Sequence, residues 1–148
     1  MRTMKESVLG LLTVAGCAAG MAILVGAAFG LLNALSFVAG VRPAWDVLGT
    51  IGSWQEAFTL GMVMGARLGI AVGAAKGFRF TEGYGGTARA LAGGLSGGII
   101  LHAFARIFFL GAAALPWAFG IGALLGALMG GAGPARGEGP RPQPKATT

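Results

Sequence analysis

Thirty-five consecutive residues, Ser7 to Val41, carry no charged side chain. A helix crosses the hydrocarbon core of a bilayer with about 20 apolar residues. The run is therefore long enough for one span and too short for two spans and a turn. No proline and no Asn-Gly pair interrupts it. The expected element is one helix from about Lys5 to Leu32, with Asn33 to Val41 at the far interface. The rest of the chain has the same character. Hydrophobic residues make up 55% of the 148 positions, 29 more are glycine, and only 11% are charged. A soluble domain carries roughly 25% charged residues, and so few charges cannot cover a water-facing surface of this size. The glycines have no three-residue period, which excludes collagen. The hydrophobicity excludes disorder over most of the length. The expected fold class is an all-α integral membrane protein.

Three further spans are expected. The second runs from Ala57 to about Ala75 and is interrupted only by Arg67. The third runs from about Thr87 to Leu110 and contains His102 and Arg106. The fourth runs from Pro116 to about Gly131, and Pro116 suits a first helical turn, where its missing N–H costs little. These make a four-helix, glycine-rich bundle over residues 1–132. The tail, 133–148, holds four prolines and no apolar periodicity, so it is expected to be disordered and basic.

Lysine and arginine placement sets the orientation. Arg2, Lys5, Lys76, Arg79, Arg89, Arg136, Arg141 and Lys145 fall on one side of a four-span chain, against Arg42 offset by Asp46 on the other. Both termini are expected in the cytoplasm, and the membrane is expected to be a bacterial inner membrane. Trp45, Trp54 and Trp117 would form an aromatic belt at the outer interface, and Pro43 to Thr50 a short interfacial helix. The apolar stretch after Arg2 and Lys5 exceeds the h-region of a secretory signal, so it is expected to stay as an anchor. Val14-Ala15-Gly16-Cys17 resembles a bacterial lipobox, although Ala18 to Phe29 stays apolar where lipoproteins turn polar. The plainer expectation for Cys17 is a small buried helix residue. A single cysteine allows no internal disulfide.

Gly61, Gly65, Gly69, Gly73 and Gly77 recur every fourth residue along the second span. Related steps are Gly16 and Gly20, Gly26 and Gly30, Gly94 and Gly98, and Gly122, Gly126 and Gly130. Glycine at this spacing lets helix backbones approach closely, which is what drives association in lipid. The contact is expected either inside one bundle or between copies and partner subunits.

Ionisable groups at membrane depth are costly unless paired or hydrated. Arg67 lies eleven residues after Glu56, about 16 Å down the second span, and points away from the glycine groove. His102 and Arg106 share one face of the third span. No acid lies within any span. Glu56, at the outer end of the second span, is the expected partner of Arg106. His102 is expected to bond a neighbouring backbone or hydroxyl group. Arg67 needs a wet cavity, a carbonyl cluster, an anion or a partner's acid. An excess of cations without acids favours an anionic solute or lipid headgroup.

Enzyme signatures are weak. Gly94-Leu95-Ser96-Gly97-Gly98 matches G-x-S-x-G and resembles the G-x-S-G of rhomboid intramembrane proteases. That family draws its histidine from a different helix. His102 lies about 240° from Ser96 around the same helix and cannot face it. One His and one Cys make no metal constellation, and no phosphate-binding glycine loop occurs. The net charge of +6 follows from topology and requires no nucleic acid; the basic cytoplasmic segments should favour anionic lipid headgroups. Ala57 to Gly61 through Lys76 to Arg79 resembles the glycine-laddered helix and basic loop of four-span mitochondrial translocase subunits. The ladder falls in the second span here rather than the first, and Gly93 stands where that family has an acid after its arginine, so no role is transferred. The leading expectation is a non-enzymatic packing or assembly subunit, without cofactor or metal, that meets itself or other membrane subunits through its glycine faces. The alternatives are a small oligomeric channel or transporter for an anionic solute and a phage holin-type lesion-forming protein.

Overall fold

The structure is a computed structural model that describes residues 2–43, 46, 49–108 and 111–132. It contains four helices, α1 (Arg2–Val38), α2 (Trp54–Arg79), α3 (Gly86–Ile107) and α4 (Ala114–Gly131), and no strand among the described residues. All four are long and apolar enough to cross a membrane, so the chain is an all-helical, multi-pass membrane protein. Residues 133–148, Trp45 and Leu110 lie outside the described residues, and with them the expected tail, one member of the aromatic belt and the expected end of the third span. Of the segment read as an interfacial helix, Pro43, Asp46, Gly49 and Thr50 are described, and none is helical.

The first helix runs six residues past its expected end at Leu32. Asn33, expected at an interface, is 1% exposed. It sits opposite Gly61, whose missing side chain makes room for it: a Cβ there would come within 2.9 Å of Asn33 Nδ2. Ser36 Oγ donates to Leu32 O at 2.9 Å, so this hydroxyl is satisfied by its own helix. What stops α1 is Gly40. Its φ of 72° is left-handed, and Gly40 N donates to Phe37 O while Val41 N donates to Ser36 O. That pair of bonds is a Schellman stop, which glycine adopts without steric cost. At α2, Ser53 is extended and its hydroxyl accepts from Glu56 N at 3.3 Å. The Glu56 carboxylate in turn accepts from Gly52 N at 2.8 Å. The first bond satisfies an N–H group that a helix start leaves open, and the second ties the residue before the cap to the first turn.

Glycine sets the packing of two antiparallel hairpins. Down α2, Gly61 lies against the Phe29 carbonyl, Gly65 against Val25 and Phe29, Gly69 against the Met21 carbonyl, Gly73 against the Cys17 carbonyl and Gly77 against Val14 Cα. Each step of four along α2 meets a step of about four back along α1, so register is kept across the whole contact. In the second hairpin Gly93 and Gly126 face each other, as do Gly97 and Gly122, and Gly130 lies against the Arg89 carbonyl. Backbone meets backbone in both hairpins, the close approach that small residues permit in lipid.

The two hairpins meet differently. Val14, Ala18, Ala74 and Ala92 form a small buried cluster, with Ile70, Phe78, Leu95, Ile99 and Ile100 packed around it. Helix α3 touches both α1 and α2, whereas α4 approaches no helix backbone but α3. The helices therefore do not close into a ring. The buried Ser96 Oγ donates to Ala74 O at 2.9 Å, a hydrogen bond from α3 to α2. Bonds of this kind within membranes average about 0.6 kcal/mol, with a maximum near 1.7. Ser96→Ala is accordingly expected to lower stability to detergent unfolding by no more than that while leaving helicity unchanged. A loss above about 3 kcal/mol would mean that the bond organises the seam rather than decorating it.

Candidate functional site

Arg67 occupies the middle of α2 and turns toward α3, while the glycine ladder on the same helix faces α1. Its Nη1 donates to the Arg106 carbonyl at 3.1 Å and lies 3.5 Å from Met64 Sδ. Arg106 is in the last turn of α3. Carbonyls there have no next turn to bond to, and the helix dipole adds partial negative charge. A guanidinium at that position is stabilised by the end of a neighbouring helix. Of the four solutions open to Arg67, the structure provides a backbone carbonyl and, beside it, a cavity.

The cavity has a volume of about 450 Å³ and is lined by Arg67 and Ile70 from α2, Ile99, His102, Ala103 and Arg106 from α3, and Phe119 from α4. Each helix contributes for a local reason. His102 and Arg106 are one turn apart, so both project from one face of α3. Phe119 reaches this face because Gly98, one turn before His102, has no side chain; a Cβ there would meet the Phe119 ring at 2.8 Å. His102 makes no hydrogen bond to any described residue, in contrast to the expected backbone or hydroxyl partner. The Arg106 guanidinium, too, has no hydrogen-bond or ion-pair partner among them.

The expected Glu56–Arg106 pair does not form. The Glu56 carboxylate accepts instead from Gly52 N, just before its own helix. The reason is depth. Arg67 brings the Arg106 carbonyl close to Met64, which is eight residues, or about 12 Å, inward from Glu56. The other described acids are also engaged elsewhere. Glu6 Oε2 accepts from Gly85 N at 3.3 Å and Asp46 Oδ1 from Thr50 N at 3.0 Å. Glu82 lies beyond the C-terminal end of α2. Among the described residues no carboxylate lines the cavity.

The remaining sequence candidates are packed into the hairpins. Gly94 and Gly98 meet Ala123, Ala127 and Phe119 side by side with the tighter pair Gly93 and Gly97, which the four-residue spacing did not single out. Gly122, Gly126 and Gly130 all face α3. Ser96 is 3% exposed and donates its hydroxyl to α2. Among the described residues no group of three His, Cys, Asp or Glu side chains could hold a metal ion. A further cation near the start of α3, Arg89, stands 6.0 Å from the Phe78 ring centroid with its Nε buried and unbonded. Sequence reasoning had counted it only as a topology signal.

Fold and cavity define a class: a multi-pass helical membrane protein with a cationic, partly apolar cavity among three of its helices. No protein-family model matches the chain, and neither a curated protein nor a solved structure is similar to it.

Proposed function

We propose that this chain is a non-enzymatic membrane protein that binds an anionic group in the half of its membrane-spanning region remote from the termini. The observation that carries this is the gathering of Arg67, His102 and Arg106 around one cavity with no carboxylate among its described lining residues. A cation at membrane depth costs about 2.5–3.5 kcal/mol on insertion scales. Arg67 recovers part of this from the Arg106 carbonyl; the Arg106 guanidinium and His102 have no such return within the described chain. An anion between them would satisfy all three, and arginine is the side chain best shaped for oxyanions. The lysine and arginine pattern supports cytoplasmic termini, which would put the cavity toward the outer leaflet. The test is thermal unfolding in zwitterionic nanodiscs with added oxyanions or anionic amphiphiles. A ligand at 100 times its Kd raises stability by about 2.7 kcal/mol. If no anion shifts the midpoint of the wild-type chain, the proposal fails.

A second proposal, an assembly subunit working through glycine faces, is supported by Gly16 and Gly20 of α1. A Cβ added to either would meet nothing within 4 Å, so this step is open to another helix. The longer ladder in α2 is occupied by α1 and offers no such opening. Gly16→Leu with Gly20→Leu is expected to break a homo-oligomer or release a partner if that step is an interface. Native mass in nanodiscs measures this, and an unchanged assembly would discard the α1 face as the contact.

A further inference from the structure

We propose that the anionic group is the headgroup phosphate of an acidic phospholipid, held by Arg67, Arg106 and His102 with its glycerol and acyl chain along Ile70, Ile99 and Phe119. The inference rests on the anion-binding proposal above and names the ligand of that same site. The first ground is the shape of the opening. Helix α4 does not approach α2, so no helix backbone closes the side of the cavity between Arg67 and Phe119. No α1 residue lines it either, because α1 meets α3 at the other end, through Gly10, Val14 and Ala18. The cavity therefore faces the lipid side of the molecule. A soluble anion would have to cross apolar surface to reach it, whereas a lipid is already there.

The second ground is a step between the hairpins. From Met64, level with the last turn of α3, α2 continues outward for ten residues to Trp54, about 15 Å. Beyond Ile107 the second hairpin turns back into α4. The cationic groups thus crown the shorter hairpin, beside the taller wall of α2. Lipid packed over that short hairpin brings its headgroup down to the level of Arg67 and Arg106.

The third ground is the lining. Two guanidiniums and an imidazole stand beside three large apolar side chains in about 450 Å³, within the roughly 300–1,000 Å³ of small-ligand sites. Along the axes of α2 and α3, Arg67 and Arg106 stand at one end of the cavity and Ile70, Ile99 and Phe119 toward the other, an order that matches an amphiphile. A carboxylate on a partner's helix would use the charges and leave the apolar wall to lipid. A phosphate diester offers two oxyanion acceptors, enough to bridge Arg67 on α2 and Arg106 on α3. Occupancy would tie one hairpin to the other.

The test is native mass spectrometry of the full chain released from nanodiscs of phosphatidylcholine containing a minority of phosphatidylglycerol. The expected result is one retained phosphatidylglycerol adduct per chain, enriched over phosphatidylcholine. Arg67→Gln with Arg106→Gln is expected to reduce that enrichment about tenfold, at unchanged far-ultraviolet circular dichroism. Lys76→Gln with Arg79→Gln, near the cytoplasmic interface, is expected to leave it unchanged. If the enrichment follows Lys76 and Arg79 instead, the lipid site is elsewhere and the inference is overturned. A co-purifying protein displaced by the Arg67 and Arg106 substitutions would overturn it in favour of a partner's acid. If phosphatidylglycerol shows no preference but inorganic phosphate raises the unfolding midpoint of the wild type in pure phosphatidylcholine, the lipid fails and the anion site stands. If neither acts, both fail. Should the double variant misfold, His102→Gln supplies the same comparison without removing a guanidinium.

Discussion

Leucine in place of Gly73 should unpack the α1/α2 hairpin. The side chain would be driven into the Cys17 carbonyl and to within 2.7 Å of Ala18 Cα. Both obstacles are backbone, so no rotamer change in α1 can clear a path. The two helices must separate along their length, because neighbouring contacts at Gly69 and Gly77 share the same register. Overpacking of a well-packed interior costs about 1–3 kcal/mol, and more where nothing can yield; here about 3 kcal/mol or more is expected. Unfolding in mixed micelles with rising dodecyl sulfate would measure it. Gly16→Leu is the control. It makes the same chemical change in α1, where nothing lies within 4 Å of the new Cβ, and in an isolated chain it should shift stability by less than about 0.5 kcal/mol. Equal stability of the Gly73→Leu variant and the wild type would refute the backbone-to-backbone packing of this hairpin.

Arg67→Ala should abolish most stabilisation by anions while costing little in its absence. The substitution removes the bond to the Arg106 carbonyl, which for a charged donor is worth about 1.5–3 kcal/mol. It also removes a cation that costs a comparable amount at membrane depth. The two nearly cancel, so the unliganded unfolding midpoint should move by only a few degrees. The liganded midpoint has nothing to offset its loss, because one of two guanidiniums facing the cavity is gone. Arg67→Lys should not rescue it. An ammonium is a compact charge and cannot hold the carbonyl and an oxyanion at once in the planar fork of a guanidinium. The comparison is of midpoints with and without anionic lipid for the three proteins. An Arg67→Ala chain stabilised by anionic lipid as strongly as wild type would remove Arg67 from the site.

The helices were legible from gaps in the charge pattern, because the bilayer tolerates few charges and the chain places them at the ends. Their ends were less legible. Asn33 and Ser36 read as interfacial because one span leaves them over at the end of the apolar run, yet one fits the space left by Gly61 and the other bonds to its own helix. The glycine spacing marked a groove on α2 and was silent about what fills it. On α3, Gly93 and Gly97 stand beside Gly94 and Gly98, two steps about 100° apart; only the position of α4 selects the tighter one. The grouping of Arg67, His102 and Arg106 was half visible, as two residues of one face and a third turned away from the glycine groove toward a neighbour the spacing did not name. Its anchor, the Arg106 carbonyl, has no letter in the sequence, since every residue has one. The Glu56–Arg106 pairing went wrong by assuming that the third span reaches as far outward as the second.

The same inequality of length has a mechanical side. The uncharged part of α1, residues 7–38, and the 18 residues of α4 correspond to about 48 Å and about 27 Å of helix. One flank of the molecule is thus much taller than the hydrocarbon core of an ordinary bilayer, and the opposite flank slightly shorter. Lipid meets the mismatch by tilting the long helix and by thinning next to the short one, at fractions of a kcal/mol per ångström. The protein therefore asks for two bilayer thicknesses at once. A flat, uniform sheet satisfies neither flank, and a membrane that already tapers, at a bend or at the border between thick and thin lipid, accommodates both.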